Sequence, residues 1–192
     1  MTTSSRKEHL AEFFTTGAKF HGHLSPGLTI GIFMVDLAQE ILGPRDLMDA
    51  VAETKLCLPD AVQIMTPCSY GNGWLTVKDW GKFAITLFDK KSRDGVRVYV
   101  DQNKIKNYAL LYQWYMRQGK VEDQEVIAEI MEAGRDILSW ERVAVQLPPK
   151  EKSPVAICTV CGETYPVSLG AACPRCCGRD DYYQTTGNKS QA

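Results

Sequence analysis

The chain of 192 residues carries 22 basic and 23 acidic side chains, which gives a formal net charge of -1. Its hydrophobic share of 44% and aromatic share of 9% exclude disorder along the whole length, since disordered chains lack aromatic residues and carry a large net charge. The near-zero charge also excludes a global electrostatic attraction to nucleic acid or to an anionic membrane.

The N-terminal stretch MTTSSRKEHLAEFF lacks the apolar segment of a secretory signal. The longest apolar run, near residues 28–37, is far shorter than the 18 or more residues that a membrane-spanning helix needs. We therefore expect a cytoplasmic protein without a membrane span. Seven cysteines, four of them in two CxxC pairs, then indicate metal binding rather than a disulfide framework.

The first predicted element is a long buried helix over residues 26–42. Ser25 is a favourable N-cap, Pro26 suits the first helical position, and Gly43 follows the end. Apolar side chains leave only a narrow polar edge, so most sides of this helix should be buried. Gly31 would let a neighbouring element approach closely.

Strand-like segments follow this helix. Alternation predicts a strand over residues 51–58, whereas residues 59–65 fit a short helical turn or a second strand equally well. A glycine-rich loop over residues 68–73 comes next. The β-rich runs 82–88 and 96–100, joined by a turn signal, predict an antiparallel hairpin.

Two further helices are predicted near residues 108–115 and 126–137, where apolar side chains recur at helical spacing. Together these elements predict an α+β fold. In its main domain the buried helix near the N-terminus packs on an antiparallel or mixed β-sheet, and a small four-cysteine zinc module follows.

A domain boundary is predicted at residues 147–154, where three prolines and three charged residues interrupt any helix or central strand. We therefore place the core domain at residues 1–147. The zinc-finger or zinc-ribbon-like module, with a polar tail after Tyr183, occupies residues 148–192.

The strongest chemical signal is the pair of knuckles formed by Cys158 with Cys161 and by Cys173 with Cys176. Four thiolates can surround one zinc ion, and a two-residue spacer lets both sulfurs of a pair reach it. So small a segment also needs the ion in order to fold, which predicts a structural zinc. Two redox CxxC pairs are the alternative, and Cys177 could replace Cys176 as a ligand.

The basic residues of the module are nearly matched by acidic ones, so the charge pattern of a phosphate-binding surface is weak. The sequence favours docking on a protein partner, or a cap on the main domain, over binding to nucleic acid.

His21 and His23 flank a glycine immediately before the buried helix. Residues two apart do not share a helix face, so both imidazoles can converge on one ion only from a loop. Imidazole is both a common metal ligand and a natural proton shuttle, which favours a metal-binding or acid–base role over a histidine packed in the core.

Cys57 and Cys68 lie on either side of Asp60 and Gln63. Within an apolar strand, Cys57 fits a small buried hydrophobe as well as a functional thiol. Cys68 begins the glycine-rich loop, where backbone N–H groups can favour the thiolate, so we predict a functional role for Cys68.

Four segments, FHGHLSPGLTIG, CLPDAVQ, PCSYGNGW and DWGKFAITLF, occur in the order of the motifs of the FmdE family, named for a component of formylmethanofuran dehydrogenase. The chain resembles this family over residues 14–145, and its four-cysteine module resembles the zinc-finger extension of some members. The resemblance implies an α+β core that forms a homodimer and contains a His/Cys metal site. It also implies a connection to a molybdenum or tungsten enzyme of one-carbon metabolism in anaerobes.

The positions that match the family's motifs are His21, His23, Cys57, Asp60, Gln63 and Cys68. Ser25 stands where the family's first motif commonly has a cysteine. On this basis we predict a second divalent transition metal, most simply zinc, in the core domain, since N/S ligation disfavours magnesium and calcium. Its predicted ligands are His21, His23, Cys57 and Cys68, and its predicted catalytic residues are His23, Cys68, Asp60 and Gln63.

Three functions are compatible with this sequence. The chain could be a metal-dependent enzyme, as a component or relative of formylmethanofuran dehydrogenase, acting on a small molecule. It could instead be a non-catalytic adaptor that docks a protein through the zinc module. A thiol redox protein that uses Cys57 and Cys68 is the third possibility, and it requires their Cα atoms to lie within about 7 Å.

Overall fold

A computed structural model of the chain describes residues 3–148, 152–179 and 182–183. The chain divides into two compact units, Met1–Gln146 and Leu147–Ala192. Residues 149–151 of the predicted linker and the predicted polar tail after Tyr183 lie outside the described residues.

The first unit is built on a five-stranded mixed sheet. Its strands are β1 (Met48–Ala52), β2 (Leu75–Val77), β3 (Ala84–Asp89), β4 (Asp94–Val100) and β5 (Leu138–Ala144). They lie in the order β2-β1-β3-β4-β5, with β1 and β2 parallel and the other pairs antiparallel. The predicted hairpin is confirmed as β3 and β4, in which Leu87 lies opposite Val96.

Six helices accompany this sheet in the described residues. They are α1 (Thr3–His21), α2 (Pro26–Leu42), α3 (Leu58–Met65), α4 (Gln102–Ile105), α5 (Ala109–Tyr115) and α6 (Asp123–Ala133). Helix α2 packs on β3 and β4 and contacts α1, α3 and α6. The predicted α+β class is therefore confirmed. No described helix is both long and apolar enough to cross a bilayer.

Helix α2 has the predicted bounds because its signals are local. The Ser25 hydroxyl accepts a hydrogen bond from the backbone N–H of Leu28 at 3.2 Å, and Gly43 ends the helix at φ +73°. Thirteen of its 17 residues are buried, and each large apolar side chain contributes roughly 1.5–3 kcal/mol. At Gly31 an added Cβ would lie 2.7 Å from the Cβ of Ala61, so this glycine allows α3 to pack closely.

The strand predicted over residues 51–58 is wrong in its extent. Strand β1 begins at Met48 and ends at Ala52. The carbonyl of the next residue, Glu53, accepts hydrogen bonds from the backbone N–H groups of Trp80 and Lys82. Strand β1 therefore ends at this point. Cys57 therefore lies directly before α3 rather than inside a strand, and the ambiguous segment 59–65 is helical.

Four elements of the first unit, α1, β2, α4 and β5, are not among those predicted from the sequence. Helix α6 ends earlier than predicted, because Gly134 turns the chain at φ +57°. Ile137 lies after this turn and is fully buried.

The second unit contains a short antiparallel hairpin of β6 (Val155–Ile157) and β7 (Thr164–Pro166). A 3-10 turn over Val167–Leu169 follows, and the Tyr165 hydroxyl donates a hydrogen bond to the carbonyl of Gly170 at 3.1 Å. The hairpin is too small to bury a core of its own, which agrees with a module that folds around an ion.

Candidate metal sites and the adjoining cleft

Four thiols of the second unit converge on one point. The sulfur atoms of Cys158, Cys161, Cys173 and Cys176 all lie within 4.8 Å of one another. The Cys161 and Cys173 sulfurs are 3.8 Å apart. A tetrahedron with Zn–S bonds of about 2.3 Å has edges of about 3.8 Å, so this donor set fits one zinc ion.

Backbone hydrogen bonds within the knuckles hold these thiols in place. The N–H of Cys158 donates to the carbonyl of Glu163, and the N–H of Gly162 donates back to the carbonyl of Cys158, each at 2.8 Å. Backbone N–H groups from both knuckles, first that of Cys173, lower the pKa of the Cys158 thiol to about 6. At Cys158 these hydrogen bonds therefore favour the thiolate that zinc requires, whereas hydrogen bonding with Cys173, together with burial, raises the pKa of the Cys176 thiol to about 12.

Cys176, and not Cys177, belongs to this group of four. The Cys177 side chain is exposed, and its thiol donates a hydrogen bond to the carbonyl of Ala172 at 3.3 Å. Cys176 therefore completes the set of four sulfur atoms.

In the first unit, the loop between α1 and α2 lies along the first turn of α3. At one end, the Nδ1 atom of His21 is 2.6 Å from the Oδ2 atom of Asp60. At the other end, the Ser25 hydroxyl is 3.7 Å from the Cys57 sulfur. His23 lies between these two contacts, with its ring centroid 5.3 Å from that of His21.

Asp60 and Gln63 support this loop from α3. The Gln63 amide donates to the Oδ1 atom of Asp60 at 3.4 Å, while its carbonyl oxygen accepts from the backbone N–H of Tyr70 at 3.1 Å. Asp60 thus has one carboxylate oxygen on His21 and the other on Gln63. The Asp60 carboxylate therefore orients the His21 imidazole. Carboxylates commonly orient metal-binding histidines in this way.

Cys57 adopts a backbone conformation that few residues other than glycine adopt, with φ +50°. Its sulfur lies against the start of α2, where a Cβ added at Gly27 would be only 2.8 Å away. Burial raises the pKa of the Cys57 thiol, and the Asp60 carboxylate raises it further, whereas the hydrogen bond with Ser25 lowers it. Without a metal ion this thiol therefore favours its protonated form.

Cys68 lies apart from this group, although it begins an exposed loop. Its side chain is fully buried in the hydrophobic core, and its thiol donates to the carbonyl of Met48 at 3.4 Å. Met48 pairs with Asp89 at the far end of β3, whereas Cys57 adjoins Phe83, just before the start of that strand. Six strand residues span about 20 Å, so the two cysteines do not approach disulfide distance.

Among the described residues, the four finger cysteines form the only group of three or more metal-ligating side chains within 4.8 Å of one another. The predicted core residues are thus divided. Asp60 and Gln63 lie on α3, and Cys57 lies directly before it. His21, at the end of α1, contacts Asp60, and His23 lies on the loop that follows. Cys68 lies apart from these residues, with its thiol on the carbonyl of Met48.

A cleft of about 700 Å³ opens beside Cys57. It is lined by Leu56, Cys57, Gly81, Phe83, Trp114, Tyr115, Arg117, Gly119, Lys120 and Val121. The ring of Phe83 meets the edges of Trp114 at 6.1 Å and Tyr115 at 5.8 Å between centroids. Sequence reasoning missed this wall, since the aromatic side chains of α5 at helical spacing indicate only a core face.

Comparisons with known proteins agree with this geometry. Residues 20–145 match the family model described as FmdE, molybdenum formylmethanofuran dehydrogenase operon. Residues 149–184 match the FmdE treble clef zinc finger.

A curated relative from Archaeoglobus fulgidus, named a probable S-adenosyl-L-methionine-binding protein, is 32% identical over 204 residues. The alignment covers 93% of this chain and 55% of the relative, so the chain spans about half the length of that protein.

The crystal structure of a tungsten formylmethanofuran dehydrogenase FmdE-like protein from Syntrophus aciditrophicus is similar, with a TM-score of 0.82 and 41% sequence identity. The similarity covers 90% of this chain and 94% of that chain. The family model spans about two thirds of the chain, the zinc finger model matches the second unit, and the four sulfurs fit zinc. The chain therefore belongs to the FmdE family and carries its treble clef zinc finger.

Proposed function

We propose that this protein binds a second divalent transition metal, zinc by its ligand chemistry, in the core domain through Cys57, His21 and His23. The observation that carries the proposal is the loop over α3, which joins His21 to Asp60 at 2.6 Å and Ser25 to Cys57 at 3.7 Å. These contacts place the His21 imidazole and the Cys57 thiol beside the first turn of α3. The exposed His23 side chain, whose ring centroid is 5.3 Å from that of His21, would supply the third ligand.

The chemistry of these donors suits a borderline-soft ion. Asp60 occupies Nδ1 of His21, which leaves Nε2 for the metal. Three protein ligands leave one coordination position for water or substrate, as in catalytic zinc sites. Cys68 is left out of the proposed set, because its buried thiol is engaged with the carbonyl of Met48.

For the activity, we propose a component or relative of an enzyme that acts on a small molecule in the one-carbon metabolism of anaerobes. Support comes from the family description, which names the formylmethanofuran dehydrogenase operon, and from the cleft beside Cys57. A ligand in this cleft would reach the open coordination position. The free thiols of the described residues suit a reducing, cytoplasmic compartment.

We propose a homodimer as the assembled form. Strand β5 lies at the edge of the sheet, and Trp140 on this strand is 47% exposed. Long edge strands in native proteins are covered, charged or paired with another chain. Light scattering on the purified protein should give twice the chain mass of 21.5 kDa, and a monomer would contradict the proposal.

An adaptor role for the finger is a second candidate. Val155 and Ile157 project from the same face of β6 and are 65% and 69% exposed. Apolar side chains at the surface of a small module suit a protein partner better than a nucleic acid. Val155→Ser with Ile157→Ser should then abolish co-purification of a partner without loss of zinc, and unchanged co-purification would exclude this face.

Metal counting tests the core site directly. The full-length protein should contain two metal equivalents per chain, and Cys57→Ser should contain one. Cys68→Ala serves as the matched control and should retain two. One equivalent in the wild-type protein, unchanged by Cys57→Ser, would leave only the zinc of the finger.

A further inference from the structure

We infer that the cleft beside Cys57 binds a planar aromatic molecule that carries a carboxylate or phosphate group. The inference rests on the proposed function only in placing the metal at the Cys57 end. The binding is carried by other residues, so the two ideas can fail separately. The volume of about 700 Å³ falls in the range of small-molecule sites.

One side of the cleft supplies aromatic surface. Phe83 meets Trp114 at an interplanar angle of 88° and Tyr115 at 71°, so the three rings form a wall rather than a stack. None of the three side chains is fully buried, and all line the cleft. A planar ring can therefore pack against this wall by offset or edge-to-face contact.

The other side supplies positive charge. Arg117 and Lys120 line the cleft, and of the described lining residues none is acidic. Across the described part of the chain, the Arg117 guanidinium has no hydrogen bond or ion pair. Lys120 has only a surface contact with Glu122 at 3.7 Å, between side chains that are 91% and 72% exposed.

The charges also fix the orientation of the ligand. The guanidinium of Arg117 matches the planar, two-oxygen geometry of a carboxylate or phosphate. The anionic group should therefore bind at Arg117, with the uncharged part of the ring system toward Cys57.

Backbone strain is concentrated on the same residues. Only three described residues other than glycine have a positive φ, and two of them, Cys57 at +50° and Arg117 at +53°, line the cleft. Gly81 and Gly119, which also line it, lie at +69° and +87°. Such conformations persist where the surrounding structure enforces them, and they cluster at ligand sites.

Three probes with one ring system test the inference: 2-naphthoate, the neutral 2-naphthamide and the cationic 2-naphthylmethylammonium. We expect calorimetry on the full-length protein to show naphthoate binding about tenfold more tightly than the amide, as one charge-assisted hydrogen bond provides. The cation should not bind. Equal binding of all three probes, or no binding of naphthoate, would overturn the inference.

Variants at Arg117 and Trp114 test the positive charge and the aromatic surface of the cleft separately. Arg117→Gln should remove the preference for naphthoate, while Lys91→Gln, an exposed cation outside the lining, should retain it. Trp114→Leu should weaken naphthoate and naphthamide alike, and Trp114→Phe, which keeps a ring, should weaken them less. If Lys91→Gln has the same effect as Arg117→Gln, the charge selectivity is a general surface effect and the inference fails.

Cys57→Ser separates this inference from the proposed function. Naphthoate binding should survive in Cys57→Ser whether or not the metal content changes. Retained naphthoate binding with unchanged metal content would contradict the proposed core metal site and support the ligand site. Lost binding in this variant would count against the ligand site as described.

Discussion

The Nδ1 atom of His21 and the Oδ2 atom of Asp60 lie 2.6 Å apart, which joins the last residue of α1 to the first turn of α3. Both side chains are partly buried, so this bond is shielded from solvent more than a surface pair. It fixes the orientation of one imidazole beside the loop that carries His23. The bond therefore fixes His21, one of the proposed ligands of the candidate metal site.

Asp60→Asn should weaken metal binding in the core by about 10- to 100-fold, because partners that orient a ligating histidine contribute to affinity on that scale. Competition with a chromogenic chelator measures the change. Asp79→Asn provides the control, since Asp79 pairs with Lys55 at the surface. An unchanged affinity in Asp60→Asn would show that His21 is not a ligand.

The alkylation rate of Cys57 in metal-free protein should rise at a higher pH than that of an ordinary thiol, because burial raises the pKa of the Cys57 thiol. Asp60→Asn removes a negative charge that raises this pKa, so the rate profile should move to lower pH. Ser25→Ala removes a hydrogen bond that lowers the pKa, so its profile should move to higher pH. Peptide mass spectrometry after iodoacetamide treatment follows Cys57 separately, with the exposed Cys177 as a reference for reagent activity. Profiles that move in the opposite directions would refute this account.

Cys68→Ala should lower the free energy of unfolding by about 1 kcal/mol, because it removes a buried side chain from the core. Metal content should stay the same, since the thiol donates to the carbonyl of Met48. Denaturant titration and metal counting on the same sample give both numbers. Loss of one metal equivalent would return Cys68 to the ligand set that the sequence predicts.

Gly31→Ala should destabilise the core domain by about 1–3 kcal/mol, as overpacking of a close contact does. The added Cβ would lie 2.7 Å from the Cβ of Ala61 and would push α3 away from α2. Gly71→Ala is the control, because a Cβ there meets nothing within 4 Å. Thermal unfolding measures both variants, and equal stability of the two would mean that the helices separate without cost.

Cys176→Ser should release the zinc of the finger, whereas Cys177→Ser should retain it. The Cys176 sulfur belongs to the converging group, while the Cys177 thiol is exposed and bonded to the carbonyl of Ala172. Zinc release measured with a colorimetric chelator distinguishes the two variants. The reverse pattern would show that the neighbouring cysteines exchange roles when the ion binds.

The sequence by itself determined the features that depend on neighbouring residues. Ser25 and Gly43 bound α2 because N-cap and C-cap interactions reach only a few residues. The β3–β4 hairpin closes through a short turn. The zinc knuckles follow from their two-residue spacers, since each spacer brings two thiols to one ion.

Only the tertiary structure decided the rest, because it depends on contacts between residues that are distant in the chain. The carbonyl of Glu53 accepts bonds from the loop near Trp80, and this ends β1 before Cys57. Cys68 is buried in the core, although the loop that it begins is polar. Phe83 and Trp114 form one wall only because α5 packs beside the start of β3. Such long-range packing outweighs local pattern, and no spacing of residues in the sequence reports it.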